Sequence, residues 1–268
     1  MPDFATAIGE AIPLATAAVQ AGAKMLFLPE YCGGLRSDGA RLVPPAAPEN
    51  AHPVVAALRD LAAGHGVTVM VGSVAVQGPE GKLLNRGLMI DPSGNITGRY
   101  DKIHLFDIRL SASQSYCESA TVSPGRVAVT HRAGDAVIGH TICYDLRFPH
   151  LFRALAQSGA NILTAPAAFT KTTGAAHWHV LNRARAIENG AFMVSACAVG
   201  AVPGGGECYG HSLIVGPWGD VIADGGDLPG VVQARIDLDD ADAARARIPS
   251  LDHDRAYRAA DGTQRDVA

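Results

Sequence analysis

Short apolar runs recur along the chain, most of them ended by a turn signal, with helically spaced segments between them. Lys24 to Leu28 (KMLFL) and Val67 to Val76 (VTVMVGSVAV) read as buried strands, and Gly87 to Asp91 (GLMID) reads as a strand entering the turn DPSGN. Further strands are expected at Ala136–Cys143, Ala160–Ala165, Ala191–Ala196 and His211–Val215, with the last at Val231–Ile236. Apolar residues at helical spacing mark Pro53–His65, Pro149–Ser158 and Ala175–Asn189. On the third helix both arginines are expected on the polar side. The opening stretch, DFATAIGEAIPLATAAVQAGAK, reads as a helix that contains Pro13, and no convincing strand precedes it.

Strands alternating with helices imply an α/β layered fold. No Pro/Gly/Ser linker or shift in composition divides the chain, so residues 1–268 are expected to form one domain. From Asp239 the pattern is charged and helical, and the end, DGTQRDVA, reads as a loose tail from about residue 258. No short-period repeat of the solenoid kind is present.

Composition removes several function classes. The 268 residues are 48% hydrophobic and 18% charged, ordinary for a soluble globular chain. A net charge of −4 and a pI near 6.2, with basic residues scattered singly, leave no footprint for nucleic acid or an anionic membrane. No run approaches the roughly 18 apolar residues of a membrane span. MPDFATAIGE lacks the basic and apolar regions of a signal peptide, so a cytoplasmic location is expected. Five cysteines, an odd number with no CxxC pair, argue against a disulfide framework and a structural zinc knuckle.

Three side chains stand just past apolar segments. Cys143 ends one strand and precedes Phe148-Pro149, which opens a helix. A cysteine there is either a buried packing residue or a nucleophile raised at the carboxyl edge of a sheet. Glu30, in LFLPEYCGG, is either a solvated loop carboxylate or a general base held in a pocket. Lys102, in GRYDKIHLFD, is either a surface side chain with a buried stem or a fixed cation beside a nucleophile. His140, at an odd spacing from Cys143 on a strand, points to the opposite face and reads as a core residue. His177 and His179 face different sides of a helix, so joint metal ligation by that pair is not expected.

The blocks LPE (Leu28–Glu30), DKIHLFD (Asp101–Asp107) and ICYDLRFP (Ile142–Pro149) resemble the signature blocks of the nitrilase superfamily, the carbon–nitrogen hydrolases, in order and in spacing. ESATVSPG, AFTKTTGAAHW, RARAIEN, YGHSLIVGPWGDVIA and RARIPSLDHDR fit the same family, so the resemblance spans roughly residues 20–257. It implies an αββα sandwich, although members usually begin with a strand ahead of the first helix. Either this protein omits that strand or its start lies upstream. The resemblance also implies a cofactor-free, metal-free mechanism. Cys143 would attack, Glu30 would shuttle the proton, Lys102 with the Tyr144 backbone N–H would hold the oxyanion, and Glu118 would orient Lys102 or the substrate. Tyr31, Tyr144, Phe169, Thr170 and His177 would line the substrate pocket. The branch resembled contains omega-amidases and deaminated glutathione amidase, which act on small amides bearing a carboxylate. Lys171 and Arg36 are the candidate cations for that carboxylate. An N-carbamoyl hydrolase or nitrilase of the same superfamily, or a non-catalytic scaffold, is the alternative. Members commonly form homodimers or larger homo-oligomers through helix layers.

Overall fold

A computed structural model of the chain describes residues 2–38, 41–109 and 115–257. The expected tail from residue 258 lies outside them. The opening helix α1, Phe4–Gln20, runs through Pro13 and is capped by the Asp3 side chain, which accepts from the Thr6 N–H at 2.8 Å. β1 (Met25–Phe27) and β2 (Ala46–Ala47) follow, then α2 (Pro53–His65), whose proline sits in the first turn and whose end is closed by Gly66. β3 (Thr68–Gln77), β4 (Leu83–Ile90) and β5 (Ile96–Asp101) complete the first sheet, with order β1-β3-β4-β5 and β2 alongside β3. β6 (Asp107–Arg109) and β7 (Ser115–Cys117) pair with each other.

The second half builds another sheet. β8 (Val129–Ala133), β9 (Ala136–His140), α3 (Pro149–Gln157), β10 (Ile162–Thr164), α4 (Lys171–Asn189) and β11 (Phe192–Ser195) come first. A small hairpin, β12 (Val199–Ala201) and β13 (Glu207–Tyr209), precedes β14 (Leu213–Val215), β15 (Val221–Asp224) and α5 (Asp239–Arg247). This sheet has the order β15-β14-β11-β10-β9-β8, parallel from β9 to β11 and antiparallel at its margins.

Side-chain alternation explains how the layers stack. Along β3, Val69 and Val71 turn to a core shared with α1 and α2, whereas Met70 turns inward; along β4, Leu88 and Ile90 divide from Met89 in the same way. In the second sheet Ile138, Ile162, Phe192 and Val194 meet Met70 and Met89, while Leu163, Met193, Leu213 and Val215 pack on α3 and α4. Strands covered on both faces read as continuous apolar runs, which is why VTVMVGSVAV shows no polar alternation. The result is the helix–sheet–sheet–helix sandwich. The segment Val231–Ile236 departs from expectation. It alternates exposed and half-buried positions but belongs to neither sheet, because no strand pairs with its backbone.

Gly72 sets the approach of the two sheets. A side chain there would strike the Leu28 and Pro29 carbonyls and the Pro166 ring, so only glycine lets the ends of β1 and β10 converge.

Polar groups are also trapped between the sheets. His140 is wholly buried, stacked on Tyr100 at 5.3 Å and edge-on to His131 at 5.7 Å. Burial, reinforced by His131, pushes His140 down to about 3; burial pushes His52 down to about 4 and lowers His131. All three stay neutral in the folded protein, while in the unfolded chain they protonate near pH 6.5. The unfolded state therefore binds more protons in acid, and stability falls as pH drops from about 6.5 towards 4. Urea midpoints measured at pH 7 and pH 5 should fall more for the wild type than for His140→Leu. An equal fall in both would remove His140 as a source of the acid sensitivity.

Candidate active site

Three loops converge where the carboxyl ends of the two sheets meet. Glu30 follows β1 by way of Pro29, Lys102 follows β5 directly, and Cys143 lies three residues beyond His140, where β9 ends. The residue after Glu30, Tyr31, has φ +52°, and Cys143 has φ +50°. Both occupy the left-handed region that non-glycine residues seldom adopt, a strain of order 1–3 kcal/mol each. The Cys143 conformation is held from several sides. Its N–H donates to the Pro166 carbonyl at 2.9 Å, and a tight turn, Cys143–Arg147, follows at once.

Asp145 locks that turn. Wholly buried, it accepts from the Ile142 N–H (2.9 Å) and the Tyr100 hydroxyl (2.7 Å) at one oxygen, and at the other from the His104 N–H (3.0 Å), with His104 Nδ1 at 2.7 Å. Arg185 braces the turn's far end, donating Nε and Nη2 to the Leu146 carbonyl at 3.0 and 2.8 Å. This corrects the expectation that both arginines of α4 lie on its polar side. Arg183 is exposed, but Arg185 is 5% exposed and points inward to satisfy a buried carbonyl.

Lys102, 2% exposed, lies between two carboxylates. Its Nζ is 2.8 Å from Glu30 Oε1 and 2.9 Å from Glu118 Oε2. Asn85 donates Nδ2 to both acids, at 2.8 Å to Glu30 and 3.1 Å to Glu118, and its carbonyl accepts from the Lys102 N–H at 3.0 Å. The Ala168 N–H donates to the second Glu30 oxygen (2.8 Å), the Phe106 N–H to Glu118 Oε2 (2.7 Å), and the Tyr31 hydroxyl to Glu118 Oε1 (3.3 Å). Burial works against the Lys102 charge, but Glu118 and Glu30 outweigh it and hold the ammonium well above its ordinary range. For Cys143, burial and the facing Glu30 push the thiol well up, against the pull of Lys102. The thiol therefore keeps its proton at neutral pH, with a carboxylate beside it to take that proton.

Above these groups lies a cleft of about 600 Å³, including space open to solvent. Glu30, Lys102, Glu118 and Cys143 form its floor, and Tyr31, Tyr144, Phe169 and Thr170 line it as expected. Phe106, Tyr116 and Leu42 add apolar wall. His177 does not line it: the ring is exposed, with Nδ1 3.3 Å from Arg147 Nη1. Neither Lys171, exposed and paired with Glu207 at 2.6 Å, nor the exposed Arg36 reaches it. Among the described residues, the cation at the cleft besides Lys102 is Arg41. Asn85, Asp145 and Arg41 were not singled out from the sequence. A lone amide amid the apolar residues of KLLNRGLMI was the available signal for the first, whereas the Ala168 contact is made by backbone and has no residue-type signature.

Comparison with known proteins places the chain among its relatives. The carbon–nitrogen hydrolase family model matches residues 2–246. A deaminated glutathione amidase of Synechocystis sp. is 37% identical over 260 residues, covering 94% of this chain and 93% of that protein. Human omega-amidase NIT2 is 35% identical over 228 residues, covering 85% and 82%. Among solved structures, the NitFhit protein of C. elegans superposes with a TM-score of 0.82 at 31% identity; the match takes in 94% of this chain and 62% of that longer one. Nit3 of Saccharomyces cerevisiae superposes with a TM-score of 0.81 at 26% identity, covering 93% and 90%. With the family model and full-length relatives in agreement, the chain belongs to the carbon–nitrogen hydrolase family and is an amidase-type hydrolase.

Proposed function

We propose that the protein hydrolyses the terminal amide of a small carboxylate-bearing compound through a thioester on Cys143. The observation that carries this reading is the meeting, on one cleft floor, of a protonated thiol, a carboxylate facing it and a buried ammonium. A pre-formed thiolate is unfavourable here, so attack and deprotonation proceed together. Cys143 Sγ bonds to the amide carbon as Glu30 takes the thiol proton, and the carbonyl π pair moves to oxygen. Lys102 and the Tyr144 N–H stabilise the oxyanion, and Glu118 holds Lys102 in position. Glu30 then gives its proton to the departing nitrogen, the C–N bond breaks, and ammonia or an amine leaves the thioester. Water attacks the thioester carbon while Glu30 takes a proton from it. Collapse of that intermediate releases the carboxylic acid and returns the proton to sulfur.

The named activities of the relatives point to omega-amidase or deaminated glutathione amidase chemistry. Arg41, the cleft cation that has no acidic partner for its guanidinium among the described residues, suits the substrate carboxylate. A non-catalytic scaffold would have no use for three charges whose burial costs desolvation. Five free cysteines suit a reducing compartment. Among the described residues no helix is long and apolar enough to cross a membrane. A homodimer through α4 is supported by Val180 and Ile187, exposed on its outer side, and by the neighbouring exposed Trp218.

Ammonia release from dicarboxylic monoamides, N-carbamoyl amino acids and nitriles separates the possible branches. Monoamides should be the class turned over. Cys143→Ala should lower kcat by on the order of 10⁴-fold or more, and Glu30→Gln by about 10²–10⁴-fold. Turnover of carbamoyl compounds or nitriles alone would replace the amidase reading, and undiminished activity in Cys143→Ala would remove the thioester.

Arg41→Ala should raise KM for a monoamide carboxylate roughly 10–100-fold with little change in kcat, the loss of one charged hydrogen-bonding partner. The neutral methyl ester of the same monoamide should be unaffected. Equal losses on both substrates would show that Arg41 does not read the carboxylate.

A further inference from the structure

One cluster of metal-type donors lies outside the cleft. His179, on the half-exposed side of α4, places Nε2 2.9 Å from Asp224 Oδ2, and His211 places Nδ1 2.9 Å from Asp224 Oδ1. One ligand atom from each of the three residues falls within 4.8 Å of the others. The two imidazole rings meet at 71° with centroids 5.1 Å apart, so they approach the carboxylate from different directions instead of stacking in front of it.

The cluster is built, not a chance meeting of mobile side chains. His211 has φ +53°, a conformation that a non-glycine residue holds only when its surroundings enforce it. Here the His211 N–H donates to the Gly226 carbonyl at 2.6 Å, and its own carbonyl accepts from Trp178 Nε1 at 2.7 Å. Tyr209 stacks on the His211 ring at 4.5 Å. Asp224 is steadied by the Gly226 N–H, 2.9 Å from Oδ1. Trp178, which fixes His211, is the residue beside His179 on α4, so the helix supplies both a donor and the clamp on a second donor. His211 itself does not line the cleft. It aims an imidazole nitrogen at Asp224.

We propose that His179, His211 and Asp224 form a binding site for a divalent transition metal, Zn²⁺ in the first instance, that ties α4 to the β14–β15 hairpin. Two neutral imidazoles and one carboxylate are a donor set suited to zinc, which takes nitrogen at about 2.0–2.1 Å and carboxylate oxygen at about 2.0–2.2 Å. Tetrahedral bonds of that length separate donors by roughly 3.3 Å, so the His–Asp pairs open by a few tenths of an ångström on binding. In the metal-free protein each of these nitrogens donates to Asp224; on binding, the proton moves to the other ring nitrogen and the lone pair this frees takes the metal. The three residues remain partly exposed, which leaves the fourth position to water. The site is separate from Cys143, Glu30 and Lys102, and its role is to brace the fold.

Equilibrium dialysis against Zn²⁺ tests this, using Cys143→Ala protein so that the catalytic thiol does not compete for metal. The expected result is one Zn²⁺ per chain that is lost, or weakened by more than about tenfold, when His179→Ala is added. Asp224→Asn, which keeps the side-chain shape, should weaken binding in the same way. Thermal melts in EDTA show whether each variant folds. Zn²⁺ should raise the melting temperature of the protein that retains all three donors, and Co²⁺ should give it the visible absorption of a four-coordinate site. Equal Zn²⁺ uptake with and without His179 and Asp224, or no uptake at all by folded protein, would overturn the proposal.

Discussion

The site depends on one buried ammonium. Lys102 is almost free of solvent, and so are the two carboxylates it joins. Taking such groups out of water costs several kcal/mol per ion, and only close pairing with further hydrogen bonds offsets it. The surrounding residues meet that demand. Asn85 bridges both acids, and backbone N–H groups from Ala168 and Phe106 take remaining oxygen positions. Because the contacts come from different segments, the charge cluster gathers β4 and the loops after β1, β5, β7 and β10 at one point.

The same constraint sets the character of the nucleophile. With two carboxylates near and one ammonium, Cys143 lies in a field that disfavours a further anion on sulfur. Catalytic thiols beside a helix N-terminus or a protonated histidine are poised the other way, as thiolates. Here Cys143 faces a carboxylate instead, and a thiol that stays protonated is less open to adventitious oxidation.

Much of the fold was legible in the amino-acid pattern, for a physical reason. Strands covered on both faces must be apolar throughout, so Thr68–Gln77 and Phe192–Ser195 stand out from their neighbours. α2 begins at the expected Pro53 because proline suits a first turn. Val231–Ile236 carries a strand's composition, but strand formation needs a partner backbone, and residue type does not report one. At the site, Glu30, Lys102 and Cys143 could be found because each charged or reactive side chain follows an apolar run. Arg185 could not be placed, because its helical position is compatible with solvent and only the Leu146 carbonyl explains its burial. Arg41 belongs to a loop whose approach to the cleft depends on three-dimensional folding, so the sequence points to Arg36 and Lys171 and not to it.

The hydrogen bond from the Ala168 N–H to Glu30 joins residues 138 positions apart, and the ion pair from Lys102 to Glu30 spans 72. Loop closures of that length come late in folding. During synthesis the first sheet, with Glu30 and Lys102, emerges before Cys143 does. Even after Cys143 has been added, the second Glu30 oxygen lacks its backbone donor until the Pro166–Phe169 loop leaves the ribosome. The floor of the cleft is thus complete only when the second sheet closes on the first.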